Sequence, residues 1–343
     1  MLTPYPSRET KQASELDDKF LSIVVPIYNE EQNIQPLLER LNPVMEQIGL
    51  PYEVILVDDG SKDRSAETAA EAARENPHVK LICFSRNFGK EAALNAGLAH
   101  AKGDAVIQLD ADLQHPPEII FDFIREWQEG GEIVFGARRS RESETFMRRI
   151  LAKTFYRVFS AISDVKLMEG LGDFLLLDRK VVDAILSLPE RERFTKGLYA
   201  WVGFKRQAVP FEVAPRAAGQ SGWSIFKLFR FAMNAITSFG SIPLKVWSYL
   251  GLVLALSSLG YAGVILFDKL IYGSDVRGYP ALMAAICFFS GVQLLGLGIF
   301  GEYLSRVMAE VKQRPLYLVQ EKVGFEDGDK DKREPTLFDR IAS

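Results

Sequence analysis

Two carboxylates and an amide stand at alternate positions directly after an apolar run. Asp110, Asp112 and Gln114 follow residues 105–109, whose composition predicts a buried β-strand. Oxygen ligands of this kind suit a hard divalent cation, and Mg²⁺ or Mn²⁺ usually keeps water and substrate phosphate oxygens in its other positions. The segment is therefore a candidate catalytic and metal-binding site for nucleotide-diphosphate chemistry. An isolated Asp-x-Asp is also typical of a solvated turn, so the context must decide.

That context is a regular alternation of strands and helices. Strands are predicted at 21–26, 52–57, 80–84 and 105–109, and helices at 33–48, 65–75 and 89–101. The alternation predicts an α/β fold with a largely parallel sheet, in which ligands bind beyond the carboxyl ends of the strands. All four strands are followed by polar or turn residues, which favours a nucleotide site. Further strands are predicted at 132–136 and 172–178.

Residues at the other strand ends are candidates for nucleotide contacts. Asp59 could accept a hydrogen bond from a base or ribose, Pro26 and Tyr28 could pack on the base, and Lys90 could reach a phosphate. Each position also has a structural interpretation. Asp59 could cap a turn, Tyr28 could belong to the core, and Lys90 could be a solvated residue in the first turn of a helix.

A basic stretch and one further carboxylate are candidates for the second substrate. Arg138, Arg139 and Ser140 begin an arginine-rich segment that could bind a lipid phosphate through charge-assisted hydrogen bonds. The same segment could instead adhere to anionic headgroups. Asp173 stands where a base or an orienting carboxylate is expected, or it could simply bond to the backbone at a strand start. A phosphate acceptor is ionised at neutral pH, so a strong general base is not required.

Composition excludes some classes of function. The 343 residues carry a net charge of -4, which gives no basis for nucleic-acid binding through bulk charge. The two cysteines, Cys83 and Cys287, lie in apolar runs and predict neither a disulfide nor a metal site. Residues 1–19 are polar and lack a signal-peptide core, so the chain is expected to begin in the cytoplasm.

The last third of the chain predicts attachment to a membrane. Residues 246–267 and 278–301 are uncharged and long enough to cross ~30 Å of hydrocarbon as helices. Basic residues flank both runs on the outside, which predicts a multi-pass hairpin with both ends in the cytoplasm. Residues 223–245 fit an amphipathic interface helix, or alternatively a helix buried against the catalytic domain.

These features divide the chain into five parts. The parts are a polar extension at 1–19, a catalytic domain at 20–222, an interface helix at 223–245, two transmembrane helices within 246–301, and a cytoplasmic tail at 302–343.

Four motifs in order resemble a known family. They are Val25-Pro26-Ile27-Tyr28-Asn29-Glu30, Val57-Asp58-Asp59-Gly60-Ser61, Ser85-Arg86-Asn87-Phe88-Gly89-Lys90 and Asp110-Ala111-Asp112-Leu113-Gln114-His115. Together they resemble the inverting family 2 glycosyltransferases, which have an A-type, Rossmann-like glycosyltransferase fold. More narrowly, residues 21–314 resemble the polyisoprenyl-phosphate glycosyltransferases, which include dolichol-phosphate mannose synthases and the GtrB-type undecaprenyl-phosphate glucosyltransferases.

The resemblance implies roles by position. Pro26, Tyr28, Glu30 and Asp59 would bind the nucleoside, while Asp110, Asp112 and Gln114 would hold Mg²⁺ or Mn²⁺ and the diphosphate. Arg138, with Arg139 and Ser140, would take the acceptor phosphate, and Asp173 matches a functionally implicated acidic position. Residues 216–224 resemble a loop that closes over the active site. UDP-glucose is the favoured donor, a polyprenyl phosphate the acceptor, and a homotetramer in the cytoplasmic membrane the expected assembly.

One departure and two alternatives accompany this interpretation. Many relatives carry Arg where this chain has Leu175, so Arg179 or Lys196 would have to substitute for it. A transferase with another lipid or saccharide acceptor is the second hypothesis, although the chain lacks the Gln-x-x-Arg-Trp segment of processive synthases. A non-catalytic membrane scaffold is the third, and the intact Asp110, Asp112 and Gln114 argue against it.

Overall fold

The structure is a computed structural model that describes residues 18–138, 172–191, 193–211, 242–272 and 278–325. Several predictions concern residues outside these ranges. They are the polar extension before residue 18, the basic stretch from Arg139 onward, the closing loop at 216–224, most of the interface helix and the end of the tail.

A mixed sheet forms the centre of the catalytic domain. Its strands are β1 (Leu21–Ile27), β2 (Tyr52–Asp58), β3 (Val79–Phe84), β4 (Ala105–Gln108), β5 (Ile133–Arg138), β6 (Leu175–Asp178), β7 (Arg206–Phe211) and β8 (Val319–Val323). Their order across the sheet is β7-β5-β6-β4-β1-β2-β3-β8. The α/β prediction is confirmed, and the four predicted amino-terminal strands begin and end within one residue of the observed ones.

Helices cover both faces of this sheet. They are α1 (Glu31–Ile48), α2 (Ser65–Glu75), α3 (Lys90–His100), α4 (Ile120–Gln128), α5 (Arg179–Ser187) and α6 (Thr195–Trp201). Successive side chains of a strand point to opposite faces. Ile23 and Val25 of β1 therefore pack in the core under α1, α2 and α4, whereas Val24 packs in the core under α3, α5 and α6.

The sheet is less parallel than the sequence predicts, because β6 runs antiparallel to both of its neighbours. Leu175 at the start of β6 pairs with Gln108 at the end of β4. Asp173, two residues before Leu175, consequently lies at the edge where β4 ends and Asp110 begins the next loop. The antiparallel direction of β6 thus brings two carboxylates together that are separated by 63 positions in the sequence.

Two long helices follow the catalytic domain, α7 (Ile242–Tyr272) and α8 (Tyr279–Lys312). They pack closely at one point, because a side chain at Gly296 of α8 would overlap the indole nitrogen of Trp247 on α7. The helices coincide with the two predicted apolar runs. In the ranges that the structure describes, however, no helix combines the length and apolarity needed to cross a membrane, so the predicted spans are not confirmed.

After α8 the chain returns to the catalytic domain. Strand β8 pairs antiparallel with β3 at the edge of the sheet, and the ring of Tyr317 stacks on Phe84 with centroids 4.9 Å apart. At the end of α8, Glu310 Oε1 accepts a hydrogen bond of 2.8 Å from the backbone N–H of Arg191. Residues 319–323, which the sequence analysis assigns to the C-terminal tail, therefore form an edge strand of the sheet.

Candidate active site

The loops that follow β1, β2 and β3 are tied together by hydrogen bonds. The backbone N–H of Asn29 donates to Ser61 Oγ at 2.9 Å, and Asn29 Oδ1 accepts from the N–H of Lys62 at 2.8 Å. Gly60 has a φ of +67°, and a Cβ there would lie 2.6 Å from the backbone nitrogen of Asn87. A residue without a side chain is required at this point, because the two loops pass so close to each other.

Asp59 holds the loop after β3. Its carboxylate is buried and accepts hydrogen bonds from the N–H groups of Phe88, at 2.7 Å, and Gly89, at 2.9 Å. Burial raises the pKa of Asp59, and these two hydrogen bonds oppose that rise. The sequence interpretation of Asp59 as a cap is therefore supported. A contact with a nucleoside remains a prediction.

The other predicted nucleoside ligands lie beside the end of β1. Tyr28 is 41% exposed, so it is available for stacking and is not a core residue. Pro26 is half-buried in β1. Glu30 Oε2 accepts a hydrogen bond of 2.5 Å from the side-chain amide of Asn33, which orients the carboxylate. Their roles in binding stay predictions.

The segment after β4 presents its polar side chains on one side. Ala111, Leu113 and His115 are buried, whereas Asp110, Asp112 and Gln114 are half-buried. The ring of His115 packs against Phe174 and Phe211, with centroids 5.3 and 5.5 Å away. Leu113 adopts a φ of +57°, and the N–H of Gln114 donates to Asp112 Oδ1 at 3.1 Å.

This arrangement fits the predicted cation site. Two carboxylates and one amide share an accessible side of the loop, and Mg²⁺ commonly takes only one or two carboxylates from the protein, with water and substrate phosphates completing its shell. In the described part of the chain, no three His, Cys, Asp or Glu side chains form a metal site by themselves. Two carboxylates and an amide leave positions on the cation for water and for a substrate phosphate.

Lys90 connects this loop to the start of β6. Its Nζ lies 2.6 Å from Asp110 Oδ1 and 2.7 Å from Asp173 Oδ2. Lys196, on α6, contributes a second ammonium 3.0 Å from Asp173 Oδ1. The structure thus brings four charges together, two carboxylates and two ammonium groups. Lys90 begins α3 and its side chain is 42% exposed, but it contacts two carboxylates here.

The pKa values in this cluster follow from those contacts. Burial opposes the charge on each group, but the two lysines hold the pKa of Asp173 well below its ordinary value. In the same way, burial works against the Lys90 ammonium, but Asp110 and Asp173 hold the pKa of Lys90 above its ordinary value. Lys90 and Asp173 therefore remain ionised across the physiological range of pH.

Glu91 is a neighbour of this cluster that the sequence analysis missed. Burial raises its pKa to about 7, and Oε2 accepts a hydrogen bond of 3.2 Å from the N–H of Thr195 at the start of α6. The one sequence feature that pointed to Glu91 as a site residue is its position directly after Lys90. The contact links α3, which carries Lys90, to α6, which carries Lys196.

Arg179 and Lys196, the two residues proposed to substitute for the arginine that many relatives carry in place of Leu175, lie in different parts of the structure. The guanidinium of Arg179 donates to the carbonyls of Gly103 and Ala101, at the opposite edge of the sheet. Lys196 lies in the charge cluster. Of the predicted acceptor ligands, Arg138 ends β5, and Arg139 and Ser140 lie outside the described residues.

Comparison with known proteins identifies the family. Residues 22–186 match the family described as glycosyl transferase family 2, and residues 242–307 match the GtrB C-terminal hairpin. The chain belongs to glycosyl transferase family 2. This family 2 glycosyltransferase therefore carries its Asp-x-Asp-x-Gln segment on the catalytic domain and its two long helices in a recognised hairpin module.

Three relatives cover nearly the whole glycosyltransferase. It is 49% identical to "Uncharacterized glycosyltransferase sll0501" of Synechocystis over 89% of this chain and 96% of that protein. It is 43% identical to "Uncharacterized glycosyltransferase YkcC" of Bacillus subtilis, over 89% of this chain and 95% of that protein. It is 42% identical to a "Bactoprenol glucosyl transferase" of Shigella phage SfII, over 88% of this chain and 97% of that protein.

Proposed function

We propose that this glycosyltransferase moves glucose from UDP-glucose to a polyprenyl phosphate such as undecaprenyl phosphate, with inversion and with a divalent cation. The observation that carries the proposal is the charge cluster at the carboxyl edge of the sheet, where Lys90 bridges Asp110 and Asp173 and the half-buried Asp112 follows two residues after Asp110. The resemblance over 88% of the chain to a protein named for glucosyl transfer to bactoprenol supports the choice of substrates.

On the donor side, Asp110, Asp112 and Gln114 would hold Mg²⁺ or Mn²⁺. A bound cation offsets the charge that builds on the leaving diphosphate. Tyr28, which is 41% exposed, would stack on the nucleoside base. The neighbouring Lys90 remains cationic and is suited to a phosphate oxygen.

On the acceptor side, Asp173 would orient groups and would not abstract a proton. The two lysines that hold its pKa low also make it a weak base. A phosphate acceptor is ionised at neutral pH and therefore needs positioning more than deprotonation. Lys196, 35% exposed, would attract that phosphate together with Arg138 and Arg139, and the Ser140 hydroxyl would donate a hydrogen bond to it.

The acceptor's lipid chain favours attachment of the enzyme to the cytoplasmic membrane through α7 and α8. Large apolar side chains on both helices are exposed, including Leu252 and Leu256 on α7 and Leu294 and Leu295 on α8. Such continuous apolar surface is expected against lipid or another protein rather than water. A homotetramer, as the resemblance implies, remains part of the proposal.

The first test is the transfer of radiolabelled glucose from UDP-glucose to undecaprenyl phosphate in membranes that contain the protein. We expect a labelled lipid with Mg²⁺ or Mn²⁺ and none with EDTA. A panel of other UDP- and GDP-sugars identifies the donor if glucose is wrong. Absence of labelled lipid with every donor, while the nucleotide is still released from one of them, would reject the acceptor and retain the transferase.

A further inference from the structure

The ammonium of Lys90 contacts two carboxylates, one in the loop after β4 and one just before β6. Lys90 Nζ lies 2.6 Å from Asp110 and 2.7 Å from Asp173, so it is shared almost equally. Asp110 is also a proposed cation ligand. Lys90 and the cation would therefore use the same carboxylate.

Two cations cannot bind this carboxylate independently. Mg²⁺ binds oxygen at about 2.0–2.1 Å, and an ammonium held beside the same carboxylate would repel it strongly. Lys90 must therefore give up part of its bond to Asp110 when the cation arrives. Asp173 keeps a position for it, because Lys90 contacts Asp173 Oδ2 whereas Lys196 contacts the other oxygen, Oδ1, at 3.0 Å. A new anionic partner would make that change easier.

We propose that Lys90 acts as an internal counter-ion. It pairs with Asp110 in the nucleotide-free enzyme, and it thereby couples binding of the divalent cation to binding of the diphosphate. This inference rests on the proposed function. The diphosphate brings negative charge that replaces Asp110 as a partner for Lys90. Nucleotide and cation therefore favour each other's binding, and by linkage the effect is the same in both directions.

Lys196 provides a matched control. It has the same side chain, pairs with the same Asp173 and is similarly exposed, at 35% against 42% for Lys90. The ammonium of Lys196 contacts Asp173 Oδ1, the oxygen that Lys90 does not use. Loss of its charge is therefore expected to leave the cation site largely as it was.

The experiment measures Mn²⁺ binding to the purified full chain in detergent, from the electron paramagnetic resonance signal of free Mn²⁺. Lys90→Met, Lys90→Arg, Lys196→Met and the unchanged protein are each titrated with Mn²⁺ alone and with Mn²⁺ plus UDP. We expect Lys90→Met to bind Mn²⁺ alone about tenfold more tightly, a typical size for such coupling. The added effect of UDP should shrink in this variant. Lys90→Arg and Lys196→Met should resemble the unchanged protein.

The outcomes separate this inference from the proposed function. Equal affinity of Lys90→Met and the unchanged protein for Mn²⁺ alone, with tight binding in both when UDP is present, overturns the role of Lys90 and leaves the cation site standing. Tighter binding by Lys196→Met or Lys90→Arg also overturns it, because the effect would not be specific to the charge at Lys90. No Mn²⁺ binding by any protein, even with UDP, overturns both. Lys90→Gln replaces Lys90→Met if the latter does not fold.

Discussion

At both edges of the central sheet a lysine ammonium lies within 2.7 Å of a carboxylate, but the surroundings of the two pairs differ. At the amino-terminal edge, Lys80 pairs with Glu53 of β2, whose side chain is 2% exposed. At the carboxyl edge, Lys90 pairs with Asp110 and Asp173, which are 22% and 33% exposed. The same chemical pair is thus enclosed at one edge and open at the other.

The amino-terminal pair is surrounded by fixed donors. Glu53 Oε1 accepts from Ser22 Oγ at 2.6 Å and from the backbone N–H of Lys102 at 2.7 Å. Ser22 Oγ in turn accepts from the N–H of Gly103 at 2.8 Å. These bonds join β1 and β2 to the turn before β4. A buried carboxylate that is used in this way stabilises the fold and has little capacity left for a ligand.

At the carboxyl edge the partners of the carboxylates are flexible side chains. Asp173 is held by Lys90 and Lys196, and both ammonium groups can move to another anion. We therefore expect the accessible pair, which is held by side chains, to take part in function, and the enclosed pair to stabilise the fold.

Asp112→Asn should reduce cation-dependent transfer by at least about 100-fold, because it removes a proposed cation ligand at the open edge. Asp112 is half-buried and lies in a loop, so the variant should fold and unfold as the parent does. The measurement is the rate of labelled lipid formation at saturating Mg²⁺, with the free energy of unfolding as the control. Full activity would remove the cation from the mechanism.

Asp173→Asn should lower the turnover number about 100-fold, since loss of the anchor for Lys90 and Lys196 disturbs the position of the reacting groups. The KM for UDP-glucose should change much less. Steady-state kinetics with each substrate varied in turn provide the check. An unchanged turnover number would make Asp173 a structural residue like Glu53.

Glu53→Gln should show the opposite pattern. Removing the charge that pairs with Lys80 in a buried site should lower the free energy of unfolding by about 2 kcal/mol. The folded fraction should transfer glucose at the parent rate. Urea unfolding followed by tryptophan fluorescence measures the first effect, and transfer at low temperature measures the second. A large loss of turnover without loss of stability would contradict the contrast between the two edges.

Arg138→Ala should raise the KM for undecaprenyl phosphate by about tenfold, as expected for the loss of one charge-assisted contact. The KM for the donor should not change. Arg40→Ala is a control, because Arg40 pairs with Glu118 at 3.0 Å and is not one of the predicted site residues. Unchanged acceptor kinetics in Arg138→Ala would assign this arginine to membrane adhesion.

Glu91→Gln should alter the pH dependence of stability. Burial raises the folded pKa of Glu91 to about 7, above the ordinary value of about 4.3, so its contribution to stability is fully present below pH ~4 and is lost as pH rises through 7. Relative to the variant, the parent should lose about 1 kcal/mol between pH 6 and pH 8.

Unfolding at both pH values measures this difference, and Glu118→Gln, at an exposed pair, serves as the control. The same slope in Glu91→Gln and the parent would assign the titration to another group.

Local pattern was sufficient for the amino-terminal half of the fold. The β1 to β4 strands are apolar runs closed by polar turns, and β1, β2 and β3 pair in the order in which they follow one another in the chain. The exposure of Asp110, Asp112 and Gln114 on one side of the loop could also be predicted, because Ala111 and Leu113 between them are apolar. The three residues all follow one strand, β4, so their proximity could be predicted from the sequence alone.

Contacts across long separations could not be predicted in the same way. The pairing of β6 with β4 decides that Asp173 meets Lys90, and only the antiparallel direction of β6 produces that meeting. A charged segment such as Val319–Val323 has the composition of a solvated tail, because an edge strand exposes most of its side chains. Its pairing with β3 depends on where α8 ends in space.

The return of β8 gives the catalytic domain two attachment points on the helical hairpin. The chain leaves the sheet after Phe211 and rejoins it at Val319, so α7 and α8 are inserted between two strands of one sheet. A fragment that stops before α7 would lack β8 and would expose the backbone N–H and C=O groups of β3. Such an open edge strand promotes edge-to-edge aggregation. A self-standing catalytic fragment would therefore need residues 314–325 supplied through a short linker, or as a separate peptide that completes the sheet.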